Sequence, residues 1–432
     1  MMAMRPKHTA VVTGLIVGAL VLSACAEDAG EPAEEAAGED VQEAAGTELQ
    51  ADVGVDVDAQ VVRLGALNDE SGPAAPIAIP WAVGRRVLVQ QVNAGEIDLL
   101  PEGWTLELVE RDHGYNPQEA VQAFHEISDD VLFFITNFGT PNTLPLVDDM
   151  QDQNVVVFPA SYEESFFEIE YTPPLGPPYS VEAHQALDWA IEDAGGTDLR
   201  FAIVYQADDF GRNVLDALQD AADFHGVELV EEIEVRPGEA DFTAVVSTLQ
   251  RAEAEYVLLT ALPGESGGVM GTALQAGYEP TWVSNTPGWI DDFFDPDVLP
   301  PAAYRDFHWV TGGPMWNDDL PGMDGFLEAY ERYGADIAAP SYPLLYSYAN
   351  AYAAVEALGD AIEAGDVTRD GFLEAMRRLE TDANGLTPAG LDLTTFPYDP
   401  TTDTRILSPG EDITDWRVER DFSTPESWTA GS

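Results

Sequence analysis

The stretch Gly264-Glu265-Ser266-Gly267-Gly268 fits the pattern G-x-S-x-G and sits between a strand-like run and a helical one, where a turn can present a nucleophilic serine. Asp291 and His308 follow Ser266 in the order Ser, Asp, His of a hydrolase triad. The pattern is weak, because such a turn acquires glycines and a serine readily, the histidine comes early for that fold, and no oxyanion motif accompanies it. A serine hydrolase using Ser266 is therefore the lesser reading, and the chain is expected not to be an enzyme. The six histidines are singly placed, without zinc spacing or a paired base. Asp291, Asp292, Asp295 and Asp297 lack the loop spacing of a calcium motif and read as a solvated turn. No metal and no cofactor is expected.

Cys25 is the only cysteine, so no disulfide within the chain and no multi-cysteine metal site can form. Its position explains it better. Arg5, Lys7 and His8 precede an apolar segment, Ala10 to Leu22, and then small residues, which is the build of a secretory signal. That segment is short for a membrane span. Leu22-Ser23-Ala24-Cys25 resembles a bacterial lipobox, which implies cleavage before Cys25 and lipid on its sulfur. The expectation is a signal peptide over 1–24 and an extracytoplasmic protein held at the cell membrane by the lipid on Cys25. From Ala26 to about Ala59 the chain has no Lys, Arg or aromatic residue and is rich in Ala, Glu, Asp and Gly. Such a segment buries too little apolar surface to offset its ordering entropy, so 25–60 reads as a lipidated cysteine with a disordered, acidic linker.

The whole chain of 432 residues carries 79 Asp+Glu against 18 Lys+Arg, a formal net charge of −61, and its only lysine is Lys7. That surface repels nucleic acid and anionic lipid, which excludes both as partners. Self-repulsion of this size weakens the compact state at low ionic strength, and salt relieves it because the Debye length shrinks to about 3 Å near 1 M. A halophilic, salt-adapted monomer is the expectation.

Beyond the linker, apolar strand-like runs alternate with amphipathic helical stretches, which implies α/β architecture with parallel sheets covered by helices. Val61 to Leu67, Trp104 to Asp112, Val131 to Thr136 and Asn154 to Ala160 read as strands of a first unit, with helices over Trp81 to Val92, Pro117 to Ser128 and Leu144 to Gln153. The proline-rich Tyr171 to Tyr179 can continue neither helix nor central strand and reads as a crossing point. Strands of a second unit follow at Arg200 to Gln206, Val227 to Val235, Tyr256 to Leu262, Thr281 to Asn285 and Phe307 to Gly313. A long helix covers Pro343 to Ala364, where Leu344, Tyr348, Tyr352 and Val355 make an apolar stripe that reads as core. In open α/β sheets the binding crevice lies beyond the carboxyl ends of the strands. The loops "NDESGP", "NFGTPNT", "PASYEE", "QADDFGRN", "LPGESGG" and "SNTPGW" all fall there.

An ordered set of landmarks runs through these elements: "LGALNDESGP", Gly84, "VERDHGYNPQEAV", "FAIVYQADDFGRNVLDALQDAA" and "GEADFTAVVSTLQRAEAEYVLL". Together they resemble the periplasmic-type (type I) solute-binding proteins of ABC importers, the branched-chain amino acid binding class, in lipoprotein form. The resemblance implies two doubly wound lobes joined by a multi-crossing hinge, a Venus-flytrap that encloses ligand. The lobes are expected over 61–178 plus 340–382 and 179–339 plus 383–432. It places Gly139 and Thr140 at the ligand's carboxylate, with Ala160 and Ser161 in the neighbouring loop. Phe210 is expected as an aromatic wall, and the segment Leu262 to Glu265 approaches from the second lobe. Ser71, Ile77, Phe138, Tyr162, Asn285 and Thr286 complete the expected ligand-binding set, and Trp289 is a further candidate for an apolar wall.

The sequence also departs from that class. Where amino acid binders commonly hold the ammonium with a glutamate, this chain has Asn285 and Thr286, dipoles without charge, and Ile77 stands where an aromatic lid is frequent. A buried ammonium without an anion is costly. Asp208, Asp209 or Glu265 are candidate substitutes. The expected ligand is thus left open among an amino acid, an amide, a urea-like compound and a carboxylic acid, delivered to an ABC permease and ATPase complex, with a ligand-sensing receptor component as the alternative function.

Overall fold

The computed structural model describes residues 49–431. The signal peptide, Cys25 and most of the linker lie outside the described residues. The last residues of the stretch read as linker are structured: Gln50–Ala51 pairs in parallel with Asp366–Val367, and Val55–Asp56 pairs antiparallel with Val61 and Val62. Backbone pairing and the turn at Gly54 order this polar segment, a gain that side-chain composition does not reveal.

The first lobe is built on four parallel strands, β1 (Val61–Asn68), β2 (Thr105–Asp112), β3 (Phe134–Phe138) and β4 (Val157–Ala160). They lie in the order β2-β1-β3-β4. The second lobe repeats the plan with β5 (Phe201–Gln206), β6 (Leu229–Val235), β7 (Tyr256–Thr260), β8 (Thr281–Ser284) and β9 (Phe307–Thr311), in the order β6-β5-β7-β8-β9. Two antiparallel strands, β10 (Thr404–Ser408) and β11 (Arg417–Ser423), extend it beyond β9. In each sheet the order reverses direction after the first strand, and that switch point opens a crevice at the carboxyl ends.

Helices cover both sheets. Helix α1 (Ala75–Asn93) starts before Pro80, with another proline, Pro76, in its first turn, so the helix begins earlier than its interior proline suggests. It packs on the long helix Tyr342–Ala364, and Gly84 permits the approach: a Cβ there would lie 2.1 Å from the Leu344 carbonyl oxygen. The stripe Leu344, Tyr348 and Val355 is buried in the first-lobe core, as its spacing implies.

The proline-rich segment after Tyr171 carries neither helix nor strand and is buried through Pro178, passing from the end of the first sheet to helix Tyr179–Ala194 under the second. The return crossing differs from the expected boundary at 340. Helix Met323–Tyr333 packs on α1, and Met323, Phe326 and Tyr330 belong to the first-lobe core. Leu386, Leu391, Leu393 and Tyr398 belong to that core too, so the chain enters the second lobe for the last time between Tyr398 and β10. Packing, which sequence order does not report, sets these limits.

Candidate ligand cleft

The carboxyl ends of β3, β4, β5, β7 and β8 converge on a small cavity between the lobes. From the first lobe Ile77, Phe138, Gly139, Thr140, Ala160, Ser161 and Tyr162 line it, and from the second Phe210, Leu262 and Thr286. Trp81, Tyr115, Tyr179, Pro287, Tyr342 and Pro343 also line it and escaped sequence reasoning. Trp81 follows Ile77 by one helical turn on the same face, so it supplies an aromatic where Ile77 does not. Tyr179 and Tyr342 stand where crossing segments enter helices, and any segment that joins the lobes must floor the space between them.

On the first-lobe wall, hydrogen bonds brace the turn after β3. Gly139 has φ +94°, and a Cβ there would lie 2.7 Å from the Tyr115 ring. Asn142 Nδ2 donates to the Phe138 carbonyl at 2.9 Å, Thr143 Oγ1 donates to the Gly139 carbonyl at 2.9 Å, and Asn137 Nδ2 donates to the Asn142 carbonyl at 3.0 Å. The braced turn sets Thr140 Oγ1 2.6 Å from Ser161 Oγ. The Tyr162 hydroxyl donates to Asn350 Oδ1 at 3.1 Å.

On the second-lobe wall Phe210 meets the Tyr179 ring edge to face, with centroids 4.9 Å apart. The Leu262 amide donates to Gln206 Oε1 at 3.3 Å, and Gln206 Nε2 reaches across the cleft to the Tyr115 hydroxyl at 3.1 Å. Behind Thr286 lies Glu182, only 1% exposed, which is hydrogen-bonded to the Thr286 amide at 3.0 Å and to its hydroxyl at 2.5 Å. Burial pushes the Glu182 carboxyl up to about 8, against the opposing pull of the Thr286 hydrogen bonds. From Thr286 a hydroxyl chain continues to Thr311 at 3.3 Å and from Thr311 to the Tyr342 hydroxyl at 2.8 Å.

Three expected residues stand apart from the cavity. Ser71 belongs to the loop that Asp69 ties down through the Gly72 and Ala74 amides, and it does not reach the lining. Glu265 accepts from the Gly238 amide at 2.6 Å, and burial pushes its carboxyl up to about 7. Asn285 is fully buried outside the lining, and its carbonyl accepts from Trp309 Nε1 at 3.2 Å. Trp289 packs against Phe293, Tyr304, Phe307 and Trp416 in the second-lobe core, since a large apolar ring gains most from full burial. Asp208 caps its helix through the Gly211 amide and holds Gln206, while Asp209 is exposed near Arg212.

The hydrolase arrangement is absent from the described residues. Gly264 to Gly268 lies inside helix Pro263–Gln275, and Ser266 Oγ donates to the Ala261 carbonyl at 3.4 Å. Asp291 Oδ2 accepts from the Tyr342 amide at 2.6 Å, and His308 Nε2 lies 3.3 Å from Asp306, so neither serves Ser266. Asp291 is half-buried while Asp292, Asp295 and Asp297 are exposed, and no group of three or more metal-ligating side chains occurs among the described residues.

With this architecture in view, residues 61–400 match the periplasmic binding protein family model, and the chain belongs to that family. It is a solute-binding protein by fold and by family. A curated relative, Leu/Ile/Val-binding protein homolog 3 of Brucella melitensis, is 23% identical over 377 residues, covering 82% of this chain and 91% of the relative. Among solved structures, a fatty acid ABC transporter substrate-binding protein from Thermomonospora curvata has a TM-score of 0.81 at 23% identity, covering 88% of this chain and 96% of that one. A branched chain amino acid ABC transporter protein from Thermus thermophilus with bound valine has a TM-score of 0.76 at 21% identity, covering 86% and 98%.

Proposed function

We propose that this chain is the extracytoplasmic capture component of an ABC importer, without catalytic activity, which encloses a small molecule between its lobes and presents the closed form to a permease. The observation that carries the reading is the cavity itself: it lies at the switch points of both sheets, is lined from both lobes, and is bridged by the Gln206–Tyr115 hydrogen bond. Ligand that contacts both walls binds the closed arrangement better than the open one, and only that difference in affinity shifts the population. The triad residues of the hydrolase alternative serve other partners, which supports binding without turnover.

The lipobox-like Leu22 to Cys25 supports a lipid anchor at the outer face of a cell membrane. The charge of −61 supports adaptation to salt. A thermal-shift screen of amino acids, amides, ureas and organic acids in molar salt, paired with small-angle scattering, tests the function. Ligand at 100 times its dissociation constant should add about 2.7 kcal/mol of stability and reduce the radius of gyration. A scattering curve unchanged by every compound that raises Tm overturns capture between lobes.

A further inference from the structure

If the cleft is the ligand site proposed above, its lining specifies what the ligand carries. No lysine, arginine, histidine, aspartate or glutamate lines it. Its polar side-chain atoms are hydroxyls and the Trp81 indole N–H, and the indole is spent on Thr136 at 3.2 Å. Thr140 and Ser161 share one hydrogen bond at 2.6 Å, which uses one of their two protons and leaves the other to donate to a ligand acceptor. Tyr179 also lines the cavity. The rest of the wall sets apolar Ile77, Trp81, Phe138, Phe210 and Leu262 beside Tyr115, Tyr162, Thr286 and Tyr342, whose hydroxyls are hydrogen-bonded to Gln206, Asn350, Glu182 and Thr311.

No carboxyl group lines the cavity, and those behind it are engaged through at least one oxygen, with Glu265 Oε2 and Asp291 Oδ1 buried outside the lining without partners among the described residues. Glu182 serves the Thr286 amide and hydroxyl, Asp208 the Gly211 amide and Gln206, and Glu265 the Gly238 amide. Below pH 8 burial also leaves Glu182 largely protonated. An ammonium group entering this cavity loses its water and meets no counter-ion among the lining residues, at a cost of several kcal/mol. A quaternary ammonium needs open ring faces, yet Trp81 meets Phe138 at 75° and Phe210 meets Tyr179 at 64°, so ring edges already occupy part of those faces. A carboxylate is better served, by hydroxyl donors at one end and apolar surface around its body.

We propose that the ligand is a small monocarboxylate with an apolar or aromatic body and no cationic group, its carboxylate set against Thr140 and Ser161. Isothermal titration of the purified chain in molar salt with matched compounds tests this. 3-Phenylpropanoate and phenylpyruvate are compared with phenylalanine, and 4-methylpentanoate and 4-methyl-2-oxopentanoate with leucine. At least one acid should bind 100-fold or more tightly than its amino counterpart. Thr140→Val should weaken that acid about ten-fold, while Thr140→Ser, which keeps the hydroxyl, should restore most of the loss. Equal or tighter binding of the amino acid, of trimethylglycine, or of a primary amide or urea overturns the ligand class. Lobe closure by that compound in scattering would leave the capture function standing. If none of these compounds binds and none closes the lobes, and mass spectrometry finds no small molecule released from the freshly purified chain, both readings fall.

Discussion

On the first-lobe wall Asn137, Asn142 and Thr143 tie the Gly139–Thr140 turn to its own strand, and Thr140 meets Ser161 at 2.6 Å. On the second-lobe wall Leu262 and Thr286 are held by Gln206 and Glu182, with Glu182 spent on the Thr286 amide and hydroxyl and Gln206 on the Leu262 amide, Asp208 and the Tyr115 hydroxyl across the cleft. One wall offers directional hydrogen bonds from a rigid turn; the other offers mainly apolar area. The division assigns orientation of the ligand to the first lobe and the gain on closure to the second. It also explains how the same topology in both lobes yields two unlike surfaces: the sheet fixes where a loop stands, and the loop's own residues fix what it presents.

The largest effect should come from breaking the first wall's geometry. Gly139→Val forces a β-branched residue to φ +94° with its Cβ 2.7 Å from the Tyr115 ring, and such strain costs about 1–3 kcal/mol before any clash. Titration with the tightest-binding acid should show a loss of 100-fold or more; unchanged affinity would mean that this turn does not orient ligand. Next comes the hydroxyl pair. Thr140→Val with Ser161→Ala removes hydrogen bonds to a charged group, about 2 kcal/mol or near thirty-fold in Kd, with kcat-like turnover irrelevant and Tm nearly unmoved. A loss confined to the single Phe210→Ala variant would reverse the roles assigned to the two walls.

A smaller effect is expected at the bridge. Tyr115→Phe deletes the acceptor of Gln206 Nε2, a hydrogen bond worth about 1 kcal/mol, so ligand should dissociate about five-fold faster in stopped-flow measurements. An unaltered off-rate would show that the bridge does not hold the lobes closed. The smallest effect concerns pH. Because burial raises the Glu182 carboxyl to about 8 from an ordinary 4.5, the folded chain binds its proton more tightly than the unfolded one. Stability from this group is fully present below about pH 4.5 and declines as pH rises to about 8. Tm should fall across that window, and Glu182→Gln should flatten the fall by a few degrees. An identical pH profile for both proteins would place the titration elsewhere, with Asp291 and Glu265, which burial raises to about 7, as the next groups to test.

The central strands were legible because parallel strands buried on both faces read as continuous apolar runs, as at Val61 to Leu67 and Tyr256 to Leu262. Strands β10 and β11 were not. β10 is buried throughout yet contains Thr404, Arg405 and Ser408, and Arg405 is tolerated because Asp318 pairs with it at 2.6 Å. β11 is an edge strand, charged as edges are when they must not pair further. In the cleft, the resemblance pointed to Gly139, Thr140 and Ser161, and these residues line the cavity. Tyr115, Tyr179 and Tyr342 carried no such signal, since their place in the lining follows from how the crossings thread between lobes. The return of Met323–Tyr333 to the first core is likewise a fact of packing, invisible in chain order.

The parallel contact of Gln50–Ala51 with Asp366–Val367, and the hairpin of Val55–Asp56 onto Val61 and Val62, mean that the polypeptide enters through the first lobe. Whatever grips the chain upstream therefore grips the half bearing the hydroxyls, and the apolar half is left to swing. In a chain held through its N-terminal segment, as proposed above, the first lobe would be the stator and the second the rotor, and an anchor engineered at the C-terminal end would exchange them.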